Sequence, residues 1–342
     1  MFRAFAAAFF HDGSSIRLTV DKPYYVSGET IQGTAELDAR SFLHTHTISI
    51  RWHGYERSFI REMSGTVNSE HPRSLLRNEI QIGNHYYRLH SSRHSFFDQT
   101  IVIAHPSGGL QPGLHVFPFT FTLPQGLPGV FFTRGTGSFE ERYSAAISYE
   151  AIVTAEGNHP RFQDTSSIII NENIVRQIAP VNVKVDKSFI FSSKRLYMDA
   201  TLPKSVYSPG ETLSAVVKVN NESKRRVDKL KVILFRTVTI CAGSARKTIT
   251  TEIYRNVFNT PIEPASTASA DLTFTVPESV QGTASGNLIT SNYTITVECD
   301  IKMAFDLVAR VPVAIALLPI PSATAPPDYS YVYSGMADAT WE

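Results

Sequence analysis

Apolar and polar residues alternate with a period of two along most of the chain. Ile31, Gly33, Ala35 and Leu37 alternate with Gln32, Thr34 and Glu36, and Phe117, Phe119, Phe121 and Leu123 alternate with Pro118, Thr120 and Thr122. The pattern returns in Leu272, Phe274 and Val276, in Tyr293, Ile295, Val297 and Cys299, and in Val311, Val313, Ile315 and Leu317. Successive side chains of a strand point to opposite faces, so each run predicts a strand with one buried face. Such runs, bounded by Gly, Pro, Ser and Asn and with scarcely an amphipathic helix between them, predict antiparallel sheets packed as a sandwich.

The sandwich is written twice. "YVSGETIQGTAEL" (25–37) returns as "YSPGETLSAVVKV" (207–219), "FTFTLPQG" (119–126) as "LTFTVPES" (272–279), and "SYEAIVTAE" (148–156) as "NYTITVECD" (292–300). Three matches in the same order predict two copies of one domain. Gly28 and Gly210 each precede Glu-Thr and an apolar strand, which assigns them the positive φ of a tight reversal.

These stretches carry a family resemblance. "VDKPYYVSGETIQGTAEL", "GLHVFPFTFTLPQGLPGVF" with "ISYEAIVTAE", and "SVYSPGETLSAVVKVNNESKRRVDKLKV" resemble the N-terminal and C-terminal halves of the arrestin fold, over roughly residues 14–318. The resemblance is nearer to the alpha-arrestins, the arrestin domain-containing proteins, than to the visual and beta-arrestins. It implies an all-β chain of two tandem immunoglobulin-like antiparallel β-sandwich domains followed by a disordered proline-rich tail. The expected division is an apolar N-terminal segment at 1–13, a first sandwich at 14–172, a linker at 173–187, a second sandwich at 188–320 and a flexible tail at 321–342.

The tail supplies the sharpest motif. Four prolines lie between 319 and 327, and the only charges beyond them are acidic. Such a stretch cannot continue a central strand. Pro326-Pro327-Asp328-Tyr329 fits the Pro-Pro-x-Tyr pattern, in which a preformed polyproline helix lies on the aromatic groove of a WW domain and the tyrosine fills a neighbouring pocket. Alpha-arrestins carry such motifs after their two domains, usually two of them, and this chain has one. The resemblance therefore implies a cytoplasmic adaptor at the plasma membrane and endosomes. It would link the cytoplasmic regions of receptors or transporters to a WW-domain HECT-type ubiquitin ligase for ubiquitination, endocytosis and sorting. The alternative is a retromer-like trafficking scaffold that binds no ligase.

Charge and composition narrow the picture. With 32 basic and 31 acidic residues among 342, the formal charge is +1, and no overall field holds nucleic acid. Local basic runs remain: Lys224, Arg225 and Arg226 in a turn after Asn220-Asn221, and Lys184, Lys187, Lys194 and Arg195, expected around the domain junction. The first run is a candidate contact for phosphate or for a phosphoinositide membrane surface. Two cysteines, Cys241 and Cys299, without metal spacing suit packed thiols in a reducing compartment. The apolar run Phe5–Phe10 in "MFRAFAAAFFHDG" is too short to span a membrane and reads as a packing element or an interfacial contact.

Catalytic signatures are missing. "GTASG" (282–286) has its serine one place too late for a nucleophile elbow, and no phosphate-binding Gly-rich loop occurs. The chain is therefore expected to be a non-enzyme without cofactors. All eleven histidines fall between His11 and His159. His44 and His46, two apart on one strand, are the only hint of a metal-dependent sandwich enzyme, and no carboxylate follows at a matching spacing.

Overall fold

A computed structural model of the chain describes residues 2–3, 13–67, 74–138, 141–174, 180–189 and 194–317. The first half contains β1 (Phe2–Arg3), β2 (Ser15–Val20), β3 (Tyr25–Val26), β4 (Thr30–Ala39), β5 (Thr45–Thr66), β6 (Glu79–Ile82), β7 (His85–Ala104), β8 (Gly113–Thr122), β9 (Phe131–Thr136), β10 (Arg142–Gly157), β11 (His159–Ser167) and β12 (Ile170–Asn171). The second contains β13 (Val181–Ser188), β14 (Arg195–Leu202), β15 (Val206–Tyr207), β16 (Thr212–Asn221), β17 (Val227–Ala242), β18 (Ala245–Phe258), β19 (Ser266–Thr275), β20 (Ala284–Ser285), β21 (Ile289–Ile301) and β22 (Leu307–Ile315).

Each half is a sandwich of a four-stranded and a six-stranded sheet. In the first, β1-β2-β4-β8 faces β11-β10-β5-β7-β6, with β9 also paired to β10; in the second, β13-β14-β16-β19 faces β15-β22-β21-β17-β18, with β20 paired to β21. The long pairings are antiparallel. The alternation read from the sequence becomes the burial pattern: Ile31, Ala35 and Leu37 face inward on β4, and Leu213, Ala215, Val217 and Val219 do the same on β16. Trp52 anchors the first core, stacked on Phe121 at 4.4 Å between ring centroids, and Tyr254 stacks on Phe274 in the second.

The repeated Tyr-x-x-Gly-Glu-Thr stretch is a strand-entry turn built identically in both copies. Gly28 and Gly210 sit at φ 85° and 77°, a region that carries little cost only for glycine. The carboxylate of Glu29 accepts the Val26 N–H at 2.9 Å, and that of Glu211 accepts the Ser208 N–H at the same distance. Thr30 meets Thr122 and Thr212 meets Thr275 through their hydroxyls, both at 3.0 Å. Tyr25 and Tyr207 are buried where β3 pairs in parallel with β12 and β15 with β22.

One sequence expectation is corrected here. Residues 181–187, placed in a linker, belong to β13, which pairs with β14 from Val181↔Leu202 to Ser188↔Arg195. Half-buried Val181, Val183 and Val185 alternate with exposed Asn182, Lys184 and Asp186. This is an edge strand with a charged outer face, and the charges hide its periodicity.

The two sandwiches share apolar packing at a common joint. Val238, Ile240, Ala242, Ala245, Ala284, Ile289 and Leu317 of the second half belong to the core of the first. The long strands β5 and β17 both start well away from this joint. Ser58 on β5 donates to the carbonyl of Cys241 on β17 at 2.6 Å, whereas the strands begin at Thr45 and Val227, far from that contact.

Candidate membrane-facing tip and domain joint

Lys224, Arg225 and Arg226 lie in the β16–β17 loop at the far end of the second sandwich. Asn221, fully buried, stiffens this loop. Its side-chain amide donates to the carbonyls of Arg225, Ile262 and Glu263, and its oxygen accepts the Ser223 hydroxyl at 2.6 Å. That amide is spent inside the fold, so the Asn-Glu-Ser sequon at 221 is closed to glycosylation once the domain has folded.

The loop grips the β21–β22 hairpin. Arg225 donates from Nη1 to the carbonyls of Lys302 and Met303 at 3.3 and 3.1 Å, and Lys302 N–H donates to the Arg226 carbonyl at 3.3 Å. From below, Lys231 holds Asp300 at 3.0 Å and Asp306 at 3.3 Å. Between these braces Met303 and Phe305 stand 86% and 89% exposed, the most exposed of the large apolar side chains among the described residues. Met303 also sits at φ 55°, a left-handed conformation that a non-glycine residue adopts at a cost of about 1 kcal/mol.

Cations surround this pair. The Lys187 ammonium is 5.7 Å from the Phe305 ring centre, the Arg225 guanidinium is 5.9 Å from that of Phe189, and Lys224 and Lys302 are exposed beside them. Arg226 is held by Asp228 and Glu263 at 3.6 and 3.2 Å. The cluster of Lys184, Lys187, Lys194 and Arg195, expected at the domain junction, instead flanks this distal tip, because β13 and β14 meet there at Ser188↔Arg195. An apolar tip inside a cationic ring is complementary to an anionic bilayer surface, whose acyl region takes the apolar side chains and whose headgroups take the charges.

The opposite end of β17 meets the first sandwich through side chains that bind main chain. Glu56, fully buried, accepts the Asn287 and Leu288 N–H groups on one carboxylate oxygen at 2.8 and 2.9 Å, while its other oxygen is buried without a hydrogen-bond partner. Burial pushes the Glu56 carboxyl above its ordinary value, against the pull of these N–H groups and of His94. A Cβ on Gly286 would lie 2.3 Å from that second oxygen, so only glycine fits there. Gln281 clasps Phe132, its oxygen accepting the N–H at 3.0 Å and its amide donating to the carbonyl at 2.9 Å. The Gly243 N–H donates to Ser92 Oγ at 2.8 Å, the Asn171 amide donates to the Leu317 carbonyl, and Lys247 pairs with Glu141 at 3.4 Å. None of these cross-domain contacts is legible in the sequence, because each joins residues far apart along the chain.

Other expectations fall as follows. Pro326, Pro327 and Tyr329 lie outside the described residues; the last described residue, Leu317, is at the joint. His44 and His46 are exposed, with His44 edge-on to Phe42 at 4.8 Å and His46 Nδ1 3.1 Å from Thr47 Oγ1. His53 and His90 meet Glu150 and Glu62, each at 3.1 Å. Among the described residues no three His, Cys, Asp or Glu side chains converge as a metal would require. Cys299 is buried against Met198, where burial pushes its thiol up to about 12. Among the described residues no helix is long and apolar enough to cross a membrane.

Comparison with known proteins agrees with the geometry. Residues 15–173 match the family model of the arrestin (or S-antigen) N-terminal domain, and residues 192–320 match that of the C-terminal domain. Arrestin domain-containing protein A of Dictyostelium discoideum is 29% identical over 329 residues, covering 92% of this chain and 55% of that protein. Lateral-eye arrestin of Limulus polyphemus is 30% identical over 166 residues (46% of this chain, 41% of that one), and human beta-arrestin-2 is 33% identical over 147 (39% and 34%). The chain belongs to the arrestin family and is of its alpha-arrestin, arrestin domain-containing type. It spans about half the length of the first of these relatives and less of the others.

Proposed function

We propose that this chain is an adaptor that works at the cytoplasmic face of membranes, resting the tip of its second sandwich on an anionic bilayer and binding the cytoplasmic regions of receptors or transporters. One observation carries the membrane part: Met303 and Phe305, exposed on a hairpin braced by Arg225 and Lys231, inside a ring of Lys187, Lys224 and Lys302. Phosphoinositides, with several negative charges per headgroup, are the lipids best matched to Lys224, Arg225 and Arg226.

The second half of the proposal is recruitment. Pro326, Pro327 and Tyr329 bind a WW domain of a HECT-type ubiquitin ligase, so that cargo beside the adaptor is ubiquitinated, internalised and sorted at endosomes. A single motif of this size binds in the micromolar range, about 8 kcal/mol in standard-state terms, so membrane and cargo contacts add the remaining avidity. The test is capture of WW-domain proteins by the full chain and by Tyr329→Ala. Loss of capture in the variant is expected, and equal recovery would refute ligase recruitment while leaving the membrane tip standing.

A further inference from the structure

The fold repeats, so the far end of the first sandwich has a counterpart to the tip just described. The β4–β5 loop, residues 40–44, occupies in the first domain the place of the β16–β17 loop in the second, because β4 and β16 pair in the same way with β8 and β19. Each loop lies at the end of its long strand away from the joint. Where the loop of the second domain carries three permanent cations, that of the first carries one, Arg40, paired with Asp38, and is flanked by imidazoles.

His44 lies in the loop, His46 on the first residues of β5, and His105 just past the end of β7; all three are exposed. Topology gathers them: the Asn158 N–H donates to the His44 carbonyl at 3.0 Å, and Ile48↔Ala104 is the last pair of β5 with β7 before His46 and His105. Half-buried His115 on β8 is nearby, hydrogen-bonded to the Gln111 carbonyl at 2.7 Å. Apolar side chains accompany them: Phe42 is 40% exposed against His44, and Leu114 and Val116 on the outer face of β8 are 64% and 51% exposed.

Fixed charges at this edge cancel. From β4, Asp38 pairs with Arg40 just past the strand at 2.7 Å; from β10 and β11, Glu156 pairs with Arg161 at 2.6 Å; Glu36 on β4 is opposite Arg17 on β2. Charge at this edge is thus governed by its histidines, and imidazole takes up its proton between about pH 8 and pH 5. Each imidazolium formed here adds a positive charge to an edge whose ion pairs are already matched.

We infer that this histidine-bearing edge of the first domain is a second, acid-dependent contact for an anionic membrane surface. The inference rests on the membrane-facing reading above, and an acidic polypeptide is the competing ligand. The exposed Phe42, Leu114 and Val116 favour the bilayer, because a bilayer takes apolar side chains and charge together. Each cation beside an anionic surface is worth about five-fold in partitioning, so three that charge fully give about 100-fold.

The test is co-sedimentation of the full chain with vesicles of phosphatidylcholine and phosphatidylserine at pH 7.4 and pH 5.5. Met303→Ser/Phe305→Ser, which silences the other tip, is expected to retain a gain of about ten-fold or more on acidification. His44→Gln/His46→Gln/His105→Gln, placed in that background, is expected to abolish the gain and leave binding at pH 7.4 unchanged. All substituted side chains are exposed, and denaturation midpoints at both pH values check that the variants stay folded. Absence of an acid gain, or its persistence in the glutamine variant, would overturn the inference. Acid-dependent binding to polyglutamate without binding to vesicles would also overturn it, in favour of an acidic polypeptide. If Met303→Ser/Phe305→Ser binds like the wild type at pH 7.4, the second-domain tip fails on its own, and the acid gain is still read separately.

Discussion

Replacing both Met303 and Phe305 with serine is expected to detach the chain from anionic vesicles without unfolding it. Fully removing a Met or Phe side chain from water is worth about 1.5–3 kcal/mol. At an interface only part of each side chain leaves water, so roughly 1–2 kcal/mol per residue is a fair share, and the pair supplies about 2–4 kcal/mol. That corresponds to a fall of about 30-fold to 1,000-fold in partitioning. The folded state loses almost nothing, because the two side chains are 86% and 89% exposed and the hairpin is held by backbone and by Lys231. A denaturation midpoint within about 0.5 kcal/mol of wild type is expected, as for ordinary surface substitutions. Vesicle co-sedimentation at low and high salt completes the assay. Salt weakens what remains in the serine variant, since Lys187, Lys224 and Lys302 then act alone through screened charge. Vesicle binding within two-fold of wild type in the serine variant would refute the argument for this tip.

Four further outcomes follow from the joint and the turns. Glu56→Gln keeps an acceptor for the Asn287 and Leu288 N–H groups and removes a buried charge, so at pH 7.5 it is expected to match or exceed wild type in urea denaturation, whereas Glu56→Ala strands both donors and costs about 2–3 kcal/mol. Because the folded pKa of Glu56 is raised, its stabilising contribution is fully present below the unfolded value of about 4.3 and is lost as pH rises through the folded value; stability measured from pH 7.5 down to 5 should show this gain in wild type and not in Glu56→Gln. Gly286→Ala, whose Cβ meets Glu56, should destabilise by about 2 kcal/mol alone and by distinctly less than the sum when combined with Glu56→Ala, so additive losses would disprove the contact. Glu29→Ala and Glu211→Ala should each cost about 1 kcal/mol and by similar amounts, since each removes the same turn hydrogen bond.

The two sandwiches were legible because their information is local. Period-two burial and the Tyr-x-x-Gly-Glu-Thr turn are written in neighbouring residues, and the turn's Gly φ and Glu capping follow from chemistry within four positions. Strand β13 was missed because Lys184 and Asp186 on its open face diluted the valines. The distal tip was half visible. Lys224, Arg225 and Arg226 stand out in a sequence, but Met303 and Phe305 in "KMAFD" read as two more apolar positions until the hairpin carries them outward. Glu56 was invisible: it is one carboxylate in a 22-residue strand, and its partners are the amides of residues 231 and 232 positions away.

The joint has an asymmetry with a bearing on how the chain can change over time. Glu56, Ser58, Ser92, Gln281 and Asn171 each reach across it to an N–H or C=O, whereas Lys247 and Glu141 meet side chain to side chain. A main-chain group is the same whatever residue bears it. Of the recognised residues, Cys241 and Asn287 are therefore free to exchange their side chains while the reaching residues and the clearance at Gly286 are kept, whereas Ala242 is held by the core and Gly243 by its φ of 56°. Saturation mutagenesis of the joint should return a lopsided map, tolerant at Asn287 and, at Glu56, tolerant of glutamine alone, although the two are partners in one bond.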